Sequence, residues 1–210
     1  MGQMAWAQQG HPVEKQNLTV ADVASRVLEA QTAAFDAQMD LNMEVKDTLS
    51  GQEQKSRGKV KMKAPDQIFA HYTQPTEQFL YIGKTLTQMY QPAEKMVYQQ
   101  RSGKDSAPVY LGVGKQLNKY IQISKVKIIK DNKEEVGLYF IPKDKMEAGF
   151  DKMWVFIHKK DWWPYRIEME TPSMKTKAIF SNFSFNKGLK ESLFKFVPPK
   201  GVQVVDGAVF

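Results

Sequence analysis

Between positions 35 and 46 the chain alternates without a break. Phe35, Ala37, Met39, Leu41, Met43 and Val45 are apolar, and Asp36, Gln38, Asp40, Asn42, Glu44 and Lys46 between them are polar. A period of two places successive side chains on opposite faces of an extended strand, and a helix of period 3.6 cannot segregate them this way. The stretch therefore predicts one long strand with a wet face and a buried face, the pattern of an antiparallel sheet.

The same alphabet continues downstream. Residues 48–52, with Ser50 and Gly51, form a turn signal, and alternation resumes through Gly58, Val60, Met62 and Ala64 to Pro65. Ile68, Ala70 and Tyr72 make the next inward face before Gln74-Pro75, and short strands follow at 79–82, 85–90 and 96–99. A polar loop at 101–108 precedes two hairpins. One pairs 121–130 with 136–141 around Asp131-Asn132-Lys133, and the other pairs 153–158 with 163–171 around Lys160-Asp161. A last strand covers 175–186. About ten or eleven strands joined by short turns predict a mainly β sandwich or barrel.

Two segments break the β pattern. Residues 17–34 read as a helix: Thr19 is a plausible N-cap with Asp22 three residues on, and Val20, Val23, Val27 and Ala30 or Gln31 follow at helical spacing. A second, short helix is predicted at 109–120, although Gly112 and Gly114 each cost it roughly 1 kcal/mol. No internal repeat or linker interrupts the series, so residues 17–210 are expected to form a single domain behind a lead at 1–16. In that lead, Ala5-Trp6-Ala7 has the small-x-small form of a signal-peptidase site, but no basic and apolar segment stands before it. No stretch reaches the roughly 18 apolar residues of a membrane-spanning helix.

Several function classes find no support. The chain has no cysteine, which removes thiol chemistry and Cys-based zinc sites together. His11, His71 and His158 are the only histidines, and no H-E-x-x-H or G-x-S-x-G accompanies them. Gly83-Lys84-Thr85 fails as a phosphate loop because the earlier glycine would fall at Gln78, and Gly112-Val113-Gly114 has Leu117 where a dinucleotide fingerprint needs glycine. No enzymatic activity and no cofactor or metal are expected. A net charge of +7 invites a nucleic-acid reading. However, Lys59, Lys61 and Lys63 alternate with Val60, Met62 and Ala64, and Lys125 and Lys127 alternate with Val126 and Ile128, as on the solvated faces of half-buried strands. Nucleic acid is therefore not an expected partner. A basic surface that meets anionic lipid or an acidic partner stays open.

Three segments, in order, carry a family resemblance. They are Gly58-Lys-Val-Lys-Met-Lys-Ala-Pro65 with Thr73-Gln74-Pro75 after it, Gly83-Lys84-Thr85-Leu86 through Tyr90, and Phe194-Lys-Phe-Val-Pro-Pro-Lys-Gly-Val202. With the leading helix, they resemble the LolA family of outer-membrane lipoprotein carriers over about 17–206. The resemblance implies an incompletely closed antiparallel β-barrel with a helical lid, and a periplasmic carrier that takes acylated lipoproteins from an inner-membrane LolCDE-type ABC transporter to a LolB-type outer-membrane acceptor where one is present. It implies no covalent chemistry, and a monomer is expected. One departure stands out: family members often carry an arginine just before the proline of the second strand, where it helps hold the lid in one state, and here that position is Ala64 beside Lys63.

An open barrel under helices can leave an apolar cleft for acyl chains. The candidate lipid-binding face comprises the adaptable Met39, Met43 and Met62 with Phe35, Leu41, Val60 and Ile68. Tyr72, Phe79, Tyr81 and Leu86 extend it. Periodicity identifies such a face as buried without saying what buries it, so each residue taken singly reads as core, and the resemblance favours the cleft for the face as a whole. A carrier or sensor of another lipid would want the same face. Trp154, Phe156, Trp162, Trp163 and Tyr165 cluster around one hairpin. Packing is their expected role, with a docking tip at Trp162-Trp163-Pro164 as the alternative.

Overall fold

The computed structural model describes residues 18–103 and 107–207. The lead at 1–16, with its Ala5-Trp6-Ala7 tripeptide and His11, lies outside the described residues. The helix α1 (Val20–Ala33) opens with the expected capping box: the Asp22 N–H donates to the Thr19 hydroxyl at 3.2 Å and the Thr19 N–H donates to the Asp22 carboxylate at 2.9 Å. Six strands follow in a meander: β1 (Asp36–Asp47), β2 (Glu53–Lys63), β3 (Gln67–Gln74), β4 (Gln78–Ile82), β5 (Leu86–Gln91) and β6 (Met96–Arg101). The helix α2 (Val109–Ile123) leads into β7 (Ser124–Asp131) and β8 (Glu135–Pro142). The one-turn helix α3 (Lys145–Ala148) then precedes β9 (Lys152–His158), β10 (Pro164–Glu170), β11 (Met174–Phe185) and a short β12 (Gln203–Asp206).

All twelve strands belong to one sheet in the order β12-β6-β5-β4-β3-β2-β1-β11-β10-β9-β8-β7. Neighbours are antiparallel except β12, which runs parallel to β6. Among the described residues β12 and β7 stand at the two ends and do not pair with each other, so the barrel is incompletely closed, as expected. The twelfth strand is the one the sequence pattern does not signal. Its Gln203-Val204-Val205-Asp206 is too short to show a period.

α1 and α2 pack on each other and on the inner face of the β7–β10 wing. Val23 and Val27 of α1 are fully buried, as are Val60, Leu80, Leu138, Met153, Val155 and Ala178 of the sheet. α2 is one turn longer than expected and takes 121–123 out of the strand assigned to them. Gly114 lies under the Gln31 side chain of α1: a Cβ there would stand 2.2 Å from the Gln31 amide nitrogen and push that side chain aside.

The outer face carries a strap. After β11 the chain turns at Asn186, with a positive φ of 56°, and the Lys187 and Leu189 N–H groups donate to the Asp36 carboxylate at 2.8 and 2.7 Å. Burial works to raise the pKa of Asp36, but hydrogen bonds from Leu189, Lys187 and Gly188 and the charge of Lys63 outweigh it and hold the carboxyl below its usual range. Lys63 donates to the Leu189 carbonyl at 2.7 Å and pairs with Glu191 at 3.5 Å. The strap then crosses β3 through a single tight turn at Glu191–Phe194 and lays Phe196 on Tyr81 and Tyr90, with ring centroids 4.7 and 5.4 Å apart, before pairing as β12. Val97 and Phe194 are buried away from the inner core, so the strap encloses a second, smaller apolar layer.

Candidate functional site

Between the inner face and α2 lies a cavity of about 430 Å³. Its walls follow from strand register. Met39 faces Val60 across β1 and β2, Met62 faces Ile68, and Ile68 faces Ile82, so alternate residues of four adjacent strands converge on one side. Ile167 of β10 faces Ala178, and the alternate residue Phe180 joins it from β11. α2 closes the top with Tyr110, Leu111 and Val113, and Trp163 comes in from the β9–β10 turn. Inside this apolar wall the Tyr72 and Tyr110 hydroxyls hydrogen-bond each other at 3.1 Å. Burial raises both phenols above their usual pKa, so both are neutral and mutually satisfied.

The charged groups stand at the rim. Lys115 of α2 donates to the Pro65 carbonyl and stands 3.7 Å from Asp66, tying α2 to the β2–β3 turn. Burial pushes the Lys115 ammonium below its usual pKa, with Asp66 opposing the shift. Gln31, Lys84 and Ser102 complete the border. The expected family arginine is absent at Ala64, and Lys63 turns outward to the strap. The contact between lid and turn is thus made from the lid side, by Lys115. Among the described residues no group of three or more His, Asp or Glu could hold a metal ion. His71 stacks on Phe79 at 4.4 Å and bonds Glu77 at 2.9 Å, while His158 stacks on Tyr165 at 3.9 Å, all outside the cavity.

Of the eleven candidate residues, Met39, Met62 and Ile68 line the cavity. Leu41, Val60 and Tyr72 are buried in the same inner core, and Met43 packs against it. The other four are placed elsewhere. Phe79 and Tyr81 face outward, because Leu80 and Ile82 take the inner positions of β4. Tyr81 lies under Phe196, and Phe79 stacks against His71 and Tyr90. Leu86 shares their outer parity opposite Arg101 and is 40% exposed. Phe35 precedes β1, 53% exposed, with its N–H donating to the Asn186 side chain. Missed from the sequence were Ile82, Leu111, Val113, Trp163, Ile167 and Phe180. The helical spacing of Tyr110, Val113 and Leu117 is the signal that could have found the α2 contribution. Trp163 is 7% exposed and packs on Phe185 at 4.9 Å, and the Arg26 guanidinium of α1 sits 4.8 Å over Trp162. The packing expectation therefore holds at the Trp162-Trp163 turn.

Fold and cavity define a structural class: a half-open β-barrel with helices laid over a largely apolar interior, charged only at its mouth. Residues 35–197 match the family model described as "Outer membrane lipoprotein carrier protein LolA". This chain belongs to the LolA family. A curated relative from Helicobacter hepaticus, named outer-membrane lipoprotein carrier protein, is 27% identical over 145 residues, which is 69% of each chain. Two solved structures are similar in fold. An uncharacterized conserved protein from Thermus thermophilus has a TM-score of 0.61 at 12% identity, covering 90% of this chain and 100% of the other. A DUF1329 family protein from Desulfovibrio piger has a TM-score of 0.50 at 14% identity, covering 84% and 95%.

Proposed function

We propose that the protein is a periplasmic carrier that holds the acyl chains of lipoproteins in the cavity between α2 and the inner sheet face and delivers them to the outer membrane. The observation that supports this most is the cavity itself. Its volume of about 430 Å³ lies within the range of roughly 300–1,000 Å³ typical of ligand pockets. Its walls are methionine, isoleucine and aromatic side chains from both layers. Each buried methylene contributes roughly 0.8 kcal/mol, so acyl chains bind tightly, and release rather than capture limits a carrier. Release then falls to α2, which Lys115 ties to the β2–β3 turn. An inner-membrane LolCDE-type transporter as donor and a LolB-type acceptor fit this reading, which needs no cofactor and no covalent step. The site and fold suit a single domain working as a monomer.

The test is gentle purification from the native periplasm followed by native mass spectrometry and lipid extraction. Triacylated lipoprotein or its acyl chains are expected with the protein. A chain that stays empty when offered purified lipoprotein would overturn the proposal.

A further inference from the structure

We infer that the outer face of the β7–β9 wing is a docking surface for an anionic phospholipid bilayer. The register places six side chains together there. Lys125 is opposite Ile141 and Lys127 opposite Tyr139 across β7 and β8, Tyr139 is opposite Trp154 across β8 and β9, and Ile129 projects at the β7 bulge. Tyr139 and Trp154 stack with centroids 5.1 Å apart. Ile129 and Ile141 are 49% and 42% exposed.

The other two sectors of the outer face are occupied differently. Over β3–β6 the aromatic residues lie under the strap. Over β1, β2, β10 and β11 ion pairs recur: Lys46 with Glu53 at 3.0 Å, Lys55 with Glu44 at 3.4 Å, and Lys175 with Glu170 at 3.0 Å, and the exposed Arg57 and Lys59 stand opposite the polar Asn42 and Asp40. In the β7–β9 sector, by contrast, Lys125 and Lys127 are exposed, have no ion-pair partner among the described residues, and stand opposite an exposed isoleucine and an aromatic ring rather than polar residues. Uncompensated lysines beside exposed isoleucine and a Tyr-Trp pair match the interface of an anionic bilayer, which takes ammonium groups at the headgroups and apolar and aromatic groups just beneath. The surface lies on the side of the sheet away from the cavity, so docking leaves the mouth free. The geometry and charge stand without the carrier reading, and that reading supplies the purpose.

The chain lacks cysteine, so a polarity-sensitive dye on Ile129→Cys reports this surface alone. Mixing with vesicles of phosphatidylglycerol and phosphatidylcholine at low salt is expected to shift the dye emission to the blue, with no shift for dye on Leu49→Cys and none with pure phosphatidylcholine. Each lysine near an anionic surface is worth roughly fivefold in partitioning. The double variant Lys125→Glu/Lys127→Glu is therefore expected to bind vesicles more than roughly tenfold more weakly, and the equal charge change Lys59→Glu/Lys200→Glu to leave binding nearly unchanged. No shift at position 129, an equal shift at position 49, or an equal loss in both double variants would overturn the inference. So would a shift that tracks protein concentration without vesicles, which would mark a second copy as the partner. Acyl-chain uptake is read separately with a fluorescent fatty-acyl probe. Uptake retained by the Lys125/Lys127 variant supports the surface as distinct from the cavity, whereas uptake lost from it along with vesicle binding overturns that separation. Vesicle binding by a wild-type protein that takes up no probe supports the surface and sinks the carrier proposal alone.

Discussion

The two wings of this sheet carry similar aromatic ladders on the same outer face and treat them oppositely. On β3–β5, Phe69, Phe79, Tyr81 and Tyr90 stack in a continuous series, and the C-terminal strap adds Phe196 to it. On β8–β10, Tyr139 stacks on Trp154, Arg166 covers Phe156 at 3.6 Å, and His158 stacks on Tyr165, with no strap over them among the described residues. An aromatic outer face does not by itself mark a docking site. What matters is whether the chain already covers it, and here the cover depends on a carboxylate, Asp36, far away in sequence at the start of β1.

The largest way to break this comparison is to unfasten the strap. Asp36→Ala leaves the Lys187 and Leu189 N–H groups without their acceptor and is expected to cost about 3 kcal/mol, read by urea unfolding. It should also raise binding of a hydrophobic dye, as the β3–β5 ladder is uncovered. The pH dependence has a defined sign. Asp36 has a folded pKa below its ordinary 3.8, so its contribution is complete above that value and is lost as the pH falls through the lower folded value. Stability from this group should be flat between pH ~5 and ~8, and loss of strap protection in that interval by hydrogen exchange would contradict the assignment.

Next in size is a pair of truncations. Phe196→Ala removes a ring that bridges Tyr81 and Tyr90 and is expected to cost about 2 kcal/mol. Trp154→Ser removes one member of an uncovered pair and is expected to cost about 1 kcal/mol or less. Equal costs in thermal unfolding would erase the distinction between the wings. The smallest effect on stability belongs to the cavity rim. Lys115→Met removes a partly exposed tie and should change stability by less than about 1 kcal/mol, yet speed the entry of a fatty-acyl probe in stopped-flow fluorescence. Unchanged entry would show that Lys115 does not hold α2 over the mouth.

The same contrast explains what could be read in the sequence. β1 was legible because only one of its faces is apolar, and Met39 and Leu41 fall where alternation puts them. β4 was not, because Phe79-Leu80-Tyr81-Ile82 is apolar on both faces: one packs the inner core and the other lies among the ring stacks and the strap. A strand covered on both sides reads as a continuous apolar run whose inward parity cannot be chosen from its own residues. The choice is settled by Asp36, Lys63 and Phe196, whose contacts are long-range. α2 was similarly blurred at 121–123, where Ile-Gln-Ile suits a strand by propensity but continues the helix, because Tyr120 is buried against Phe150 at 5.7 Å and Ile121 and Ile123 pack on the core. The cavity was half legible for the same reason. Its sheet wall follows period two, and its roof depends on how α2 packs on α1 and the sheet.

In the proposed carrier, acyl chains lie on the inner face and not on the outer aromatic face. The most direct test places a photo-activatable amino acid at Met62 in the cavity wall or at Phe79 on the outer face, and irradiates each protein with triacylated lipoprotein. Crosslinks to acyl chains are predicted from position 62, with none from position 79. Crosslinks from position 79 alone, or from neither, would contradict the claim.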